Sequence, residues 1–484
     1  MRRVLVVGFA VLFLLCGGGS AAAVWTWQGL EHNTAGKVDF VRPLAVPALA
    51  PSRLDERGRR VFELTARRGR HDFGNGPVAT WGFNGDYLGP TLRAKRGEEV
   101  VVNVHNRLTE ATTVHWHGMH LPAEADGGPL RMVDAPGTWS PTWRINQPAA
   151  TLWYHPHPHG STANQTYQGL AGMFILDDPA TDVAALPHEY GVDDVPVIVQ
   201  DKNFDGDHLK GRGGVFGAIG ILGDTVVVNG TAAAFLDVTT DRVRLRLLNA
   251  SNARVYDFGF ADNREYDLVG TDGGLLAAPV TTRRVMLSPG ERAEIVVAVR
   301  PGERVVLRST PPTLGAGALS DRISGGHDTL DILQLRAAAT LRATKPVPAR
   351  LVDVPRFDRA AATRTRDFSL ADTKINGQSM SMSRVDARVV KDTVEVWRVR
   401  NADGQPHTFH VHDVQFQVLS VGGKEPPAEL RGWKDTIYLR GDVTYEIIMA
   451  FRDYADPNRA YMFHCHVLKH EDQGMMGQFV VVDQ

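Results

Sequence analysis

Cysteine is nearly absent. The 484 residues hold two, Cys16 and Cys465. Cys16 lies inside an apolar N-terminal leader, so the mature chain is expected to carry one thiol and no disulfide. A disulfide-held framework is excluded, and 43% hydrophobic residues supply the cores instead. An excess of either charge is also lacking. The net charge is −2, from 53 Lys+Arg and 55 Asp+Glu, which gives no support for nucleic-acid binding. Long apolar runs are missing outside the leader. There, Arg2 and Arg3 precede the apolar run Val4–Leu15, and small residues end in Ala21-Ala22-Ala23. Residues 1–23 therefore read as an export signal or an N-terminal anchor, the run being short for a membrane span. The protein is expected to be exported, periplasmic or extracellular, and to meet a membrane only through that anchor. Leu15 stands where a lipid-attachment site usually has a small residue, which argues against a lipidated Cys16. The Arg pair leaves a twin-arginine route open.

Histidine is what the chain has in an unusual arrangement. His-x-His occurs four times: His115–His117, His155–His157, His410–His412 and His464–His466. In a strand, residues two apart face the same way, so each pair aims two imidazoles at one place. Eight converging imidazoles suit a cluster of transition-metal ions, copper among them. The last pair encloses Cys465. Its thiol then faces opposite to His464 and His466, and His470 and Met475 follow five and ten residues later. Two imidazoles, a thiolate and a distant thioether are the donors of a blue-copper electron-transfer site. One covalent segment would join a mononuclear copper to a polynuclear one.

The motifs HWHG (115–118), WYHPHPHG (153–160), HTFHVH (407–412) and HCHVLKHEDQGMM (464–476) resemble, in content and order, those of the multicopper oxidase family of laccases, bilirubin oxidases and bacterial cuprous oxidases. The likeness extends over nearly all of the mature chain. It implies four coppers per chain. Cys465, His407 and His470, with Met475 as axial ligand, match the type 1 site. His115 and His410 match the type 2 ligands. His117, His155, His157, His412, His464 and His466 match the type 3 pair. The resemblance also singles out three acids. Asp126 and Glu471 match proton donors near the cluster, needed because reduction of dioxygen to water consumes four protons. Asp403 matches an acid on the substrate side of the type 1 site, and its bland reading is an Asp-Gly turn with Gly404.

Three stretches read as repeats of one unit. Each has an Asn-Gly signal (Asn84, Asn229, Asn376), then an alternating strand, then an asparagine opening a loop (Asn106, Asn249, Asn401). Alternating strands, Gly/Pro-rich turns and few helical patterns argue for an all-β chain of sandwiches. With the resemblance, this gives three cupredoxin-like Greek-key domains at 52–180, 190–338 and 360–484, with linkers at 24–51 and 339–359. The middle repeat has Tyr256 and Phe258 near the place where the others carry histidines. It is therefore expected to act as a spacer, with the cluster between domains one and three. The stretch 311–330 reads as a mobile surface loop. His120 and His159 read as surface groups or neighbours of the motifs, and Met476 as core.

The expected activity is four one-electron oxidations of a small reducing substrate coupled to reduction of dioxygen to water, by a monomer. Phenols, aromatic amines and Cu(I) all qualify as substrates. Only 11 methionines are present and no methionine-rich insert, and Gln405 stands where cuprous oxidases have a methionine, which weakens the Cu(I) role. Two alternatives share the fold: a copper nitrite reductase-like enzyme and a non-catalytic cell-division scaffold. The first would not need four His-x-His pairs in one chain. The second would have lost ligands.

Overall fold

The computed structural model describes residues 31–181, 186–211 and 219–484, so the leader expected over 1–23 lies outside the described residues. Six sheets make up three Greek-key β-sandwiches of the cupredoxin type.

The repeats expected from sequence share one local design. In each, a long strand runs parallel to the strand that ends in the loop-opening asparagine. The pairs are Arg60–Asp72 with Glu99–Asn106, Asp194–Lys202 with Arg242–Asn249, and Ala362–Ala371 with Thr393–Asn401. Asn84, Asn229 and Asn376 have φ of 58°, 50° and 51°, the left-handed turn conformation that asparagine tolerates better than most residues. Asn106, Asn249 and Asn401 are buried, and the side-chain amide of each donates to two carbonyls, one in the loop it opens and one from a distant segment. Those carbonyls belong to Glu110 and Val133, to Arg254 and Leu287, and to Gln405 and Leu439. A buried amide satisfied this way fixes the loop that follows. In the first and third domains that loop leads into a histidine strand.

Two segments cross between domains. Arg42–Pro43, in the stretch read as a linker, adds a parallel edge strand to Ala234–Thr240. His208–Leu209 pairs with Pro77–Phe83, so this piece extends a first-domain sheet although it lies within 190–338. The stretch 311–330, read as a mobile surface loop, is not wholly at the surface. Leu314 is fully buried with Val255 and Tyr438, the Tyr438 hydroxyl donates to the Leu314 carbonyl at 2.9 Å, and Ala318–Ile323 is helical. One leucine among glycines and alanines anchors the segment to the third domain.

Candidate metal centre

The strand His115–His117 pairs antiparallel with Ala150–His155, setting His115 opposite His155 and His117 opposite Trp153. Alternation turns Trp116 the other way, into the first core, where it packs on Trp143 at 5.2 Å. In the third domain His407–Val411 pairs with Tyr461–Cys465, placing His410 opposite His464 and Phe409 opposite Cys465. The three-residue step from His407 to His410 puts these on opposite faces of one strand. His407 therefore shares the Cys465 side, and His410 and His412 share the other.

All eight paired histidines are buried to within 1%. They form two triads with ring nitrogens within 4.8 Å of one another, His117/His155/His466 and His157/His412/His464, and a third group, His115/His117/His410. In the second triad the Nε2 atoms of His157 and His412 lie 3.1 and 3.2 Å from that of His464. Four of the far nitrogens are held. His412 Nδ1 meets Asp126 Oδ2 at 2.8 Å, His464 Nδ1 the Cys465 carbonyl at 3.1 Å, His115 Nδ1 the Asp126 carbonyl at 3.0 Å, and His155 Nδ1 the Pro156 carbonyl at 2.8 Å. Other inward nitrogens have no partner. His115 Nε2, His117 Nδ1, His155 Nε2 and His410 Nε2 make no hydrogen bond, and neither ring nitrogen of His466 makes one. A buried unpaired polar atom costs about 1–3 kcal/mol. A metal ion accepts each lone pair, so the residues fit a copper cluster.

Electrostatics points the same way. Burial first, and then the facing imidazoles, hold His117, His155, His157, His410, His412 and His466 well below the ordinary histidine range, and burial brings His464 to about 3. The rings are neutral at physiological pH, the form that binds a metal.

On the other face, Cys465 Sγ lies 3.6 Å from His407 Nδ1 and 3.7 Å from His470 Nδ1, and all three side chains are buried. Burial pushes the thiol up, but the two imidazoles outweigh it and bring it to about 6. Met475 is fully buried in the same apolar cluster, and its carbonyl accepts from the Cys465 N–H at 3.0 Å. Met476 is buried as expected. Asp403 Oδ1 meets His407 Nε2 at 2.9 Å, which leaves Nδ1 free to face the thiol. Asp403 also makes the turn contact, accepting from the Gln405 N–H at 3.0 Å, so the functional and the bland reading describe one geometry. Glu471 places its two oxygens 3.4 and 3.3 Å from His157 Nδ1 and His464 Nδ1, and burial raises it well above the ordinary carboxyl range.

Sequence reasoning missed Asp435. It is fully buried, its Oδ1 meets His117 Nε2 at 3.0 Å, and its carbonyl meets His410 Nδ1 at 2.8 Å. It sits between Lys434 and Thr436 at the start of an apolar strand, and nothing in that string marks it as buried.

His120 is one of the groups read as a neighbour of the motifs. It ties the first domain to the third, with Nδ1 at 2.7 Å from Asp413 and Nε2 at 2.9 Å from Asp453. Burial lowers its pKa, but Asp413 and then Asp453 outweigh burial and raise it to about 9. The charged pair therefore adds stability that is full below pH ~6.5 and is lost as pH rises through about 9. Relative to His120→Gln, the wild type should lose up to about 3 kcal/mol of unfolding free energy between pH 6 and pH 10. Urea titrations giving the same difference at both pH values would contradict this. His159 is exposed.

Comparison with known proteins bears on the whole chain. Family models described as multicopper oxidase match residues 65–181 and 346–484. A cell division protein FtsP from Shigella dysenteriae is 38% identical over 461 residues, covering 93% of this chain and 94% of that one. A multicopper oxidase mco from Staphylococcus haemolyticus is 34% identical over 459 residues, with 93% and 94% covered. Among solved structures, a laccase-like multi-copper oxidase CueO from Ochrobactrum sp. superposes with a TM-score of 0.83 at 34% identity, covering 91% of this chain and 100% of that one.

Proposed function

This chain belongs to the multicopper oxidase family, and from that premise we propose that it is an exported oxidase passing electrons from a small reducing substrate to dioxygen. The observation that carries this reading is the completeness of the ligand set. Eight buried imidazoles lie on one side of Cys465, and the His407/Cys465/His470 group lies on the other. In this reading Cys465, His407 and His470, with Met475, hold a type 1 copper, and the eight paired histidines hold three more. Bound copper supplies one-electron acceptance at the first site and reduction of dioxygen at the second.

The chain's own residues do the rest. The His464-Cys465-His466 segment links the two sites covalently, and all three residues are buried. Asp126 and Glu471 sit behind ligand imidazoles and serve as the acids that deliver protons. Asp403 accepts from His407 and fixes that ring, which in this reading is where electrons from the substrate enter. Asp403→Ala is expected to keep the blue absorption and lower turnover about 10- to 100-fold. Loss confined to Cu(I) would mark metal detoxification, and loss that grows at low pH with phenols would mark proton acceptance from substrate. Unchanged turnover on both would leave Asp403 an ordinary turn residue.

The FtsP likeness favours a second reading, a division role of the exported protein. A scaffold has no use for five facing imidazoles, those of His115, His117, His155, His410 and His466, each with an unpartnered ring nitrogen that costs stability in the absence of metal. The oxidase reading is therefore preferred. The Ochrobactrum enzyme is described as acting on lignin model compounds and lignosulfonate, and with the paucity of methionine this favours phenols over Cu(I). Export rests on the leader. Among the described residues no helix is long and apolar enough to cross a membrane. Oxygen-electrode turnover of a phenol and of Cu(I) under matched conditions tests the reading. It predicts one dioxygen consumed per four electrons, without hydrogen peroxide. No oxygen uptake with either substrate would sink it.

A further inference from the structure

The middle domain carries no candidate ligand, and the sequence reads it as a spacer. Its residue Arg292 nevertheless lies at the centre of the three domains. Arg292 is fully buried, and its side chain makes five hydrogen bonds. Nε donates to the Thr151 carbonyl at 3.0 Å, in the first-domain strand that ends in His155. One terminal nitrogen donates to the Gly290 carbonyl at 2.9 Å and to Asp435 Oδ1 at 2.8 Å. The other donates to the Asp272 carbonyl at 3.0 Å and to Asp435 Oδ2 at 2.5 Å. The two-pronged grip on Asp435 uses the fork geometry that only arginine offers.

Asp435 in turn holds two imidazoles. Its carboxylate meets His117, from the first domain, and its carbonyl meets His410, from the third. Each contact occupies one ring nitrogen and leaves the other, His117 Nδ1 or His410 Nε2, without a partner. The middle domain also grips the third-domain segment directly. Asp272 accepts from the Arg292 N–H at 2.8 Å and from the N–H groups of Asp435 and Thr436 at 3.3 Å. Lys434 Nζ bonds Glu291 at 2.7 Å and Asp272 at 2.9 Å.

Two glycines make room for this contact. A Cβ on Gly118, next to His117, would lie 2.5 Å from Asp435 Oδ2 and 2.7 Å from an Arg292 nitrogen. A Cβ on Gly290 would lie 3.1 Å from the His466 ring. The turn 288–292 thus walls one side of the histidine cluster.

We propose that Arg292 is a positioning residue of the copper cluster: acting through Asp435, it sets the orientation of one imidazole from the first domain and one from the third, so that the ligand-free middle domain completes the site. This rests on the reading of the paired histidines as copper ligands. Without Arg292, Asp435 would be a buried carboxylate lacking its cation, and the far nitrogens of His117 and His410 would lose their fixed acceptor. Altering such a partner typically costs about 10- to 100-fold in metal affinity or activity.

The test compares Arg292→Met, Arg292→Lys and Asp435→Asn with the wild type, all loaded with copper in the full-length protein. The readouts are copper per chain, the blue absorption, and the electron paramagnetic resonance of the type 2 copper. The blue band serves as an internal control, since no residue of the His407/Cys465/His470 group touches the Arg292 network among the contacts above. Arg292→Met should keep the band, lose cluster copper and lower dioxygen consumption about 10- to 100-fold. Arg292→Lys restores the charge without the fork, and should regain part of the copper with an altered type 2 signal. Asp435→Asn should alter the same signal. A purely structural role would lower the melting temperature and leave that signal unmoved. If Arg292→Met does not fold, the two milder variants decide. Both matching the wild type in copper content and type 2 signal would overturn the clamp while leaving the oxidase reading intact. Wild-type protein that takes up no copper would overturn the oxidase reading and this inference with it.

Discussion

Cys465→Ser should give a folded protein without blue colour and without oxidase activity on any substrate. The thiol is fully buried, faces His407 and His470 at 3.6 and 3.7 Å, and is lowered to about 6 by those imidazoles against the pull of burial. A serine hydroxyl fills nearly the same volume, so the apolar cluster around Phe409 and Met475 keeps its shape. It is a poor donor to copper and carries none of the thiolate character that gives absorption near about 600 nm. The same sulfur begins the covalent path that runs through the Cys465 side chain and backbone to His464 and His466. The change removes a ligand and the electron path together, so the loss should exceed the about 10- to 100-fold typical of changing a ligand's hydrogen-bond partner. Retention of the blue band in the serine variant would remove Cys465 from the type 1 site.

Asp126→Asn and Glu471→Gln should bind copper nearly as the wild type does and yet reoxidise with dioxygen about 100-fold or more slowly. Asp126 accepts from His412 Nδ1 at 2.8 Å, and an asparagine oxygen can still accept there, so the ring keeps its place. Glu471 lies within 3.4 Å of the far nitrogens of His157 and His464, and a glutamine fits the same space. Each amide keeps the shape and loses the acidic proton. Together the two carboxyls sit behind all three rings of one triad. Stopped-flow reoxidation at the wild-type rate in both variants would take the acids out of the reaction.

What was legible in the sequence was local. His-x-His and Cys465 between two histidines each point to a facing by strand alternation; His115–His117 lies wholly on a strand, while His157, His412 and His466 stand just past strand ends, and the eight rings still meet in one buried cluster. The loop-opening asparagines were legible for a similar reason. One bond of each amide reaches a carbonyl four or five residues on, within its own loop, and the pattern recurs three times; the second bond of each, to Val133, Leu287 or Leu439, is not local. Which rings form each triad depends on how two domains pack, and no spacing encodes that. The Arg292–Asp435 contact spans 143 residues and the His117–Asp435 contact 318, and a buried charge looks in sequence like any surface charge. The middle domain was therefore read by what it lacks, the ligands, rather than by what it supplies. The stretch 311–330 was misread in part because glycine and alanine signal a loop, whereas the burial of Leu314 depends on Val255 and Tyr438, far along the chain.

The central claim, that this chain holds a complete set of copper sites and uses them, is tested most directly by metal analysis of the wild-type protein after copper loading. The account predicts about four coppers per chain, one of them giving the blue absorption of a thiolate-bound site. A protein that stays colourless and binds none, while remaining folded and stable, would contradict it.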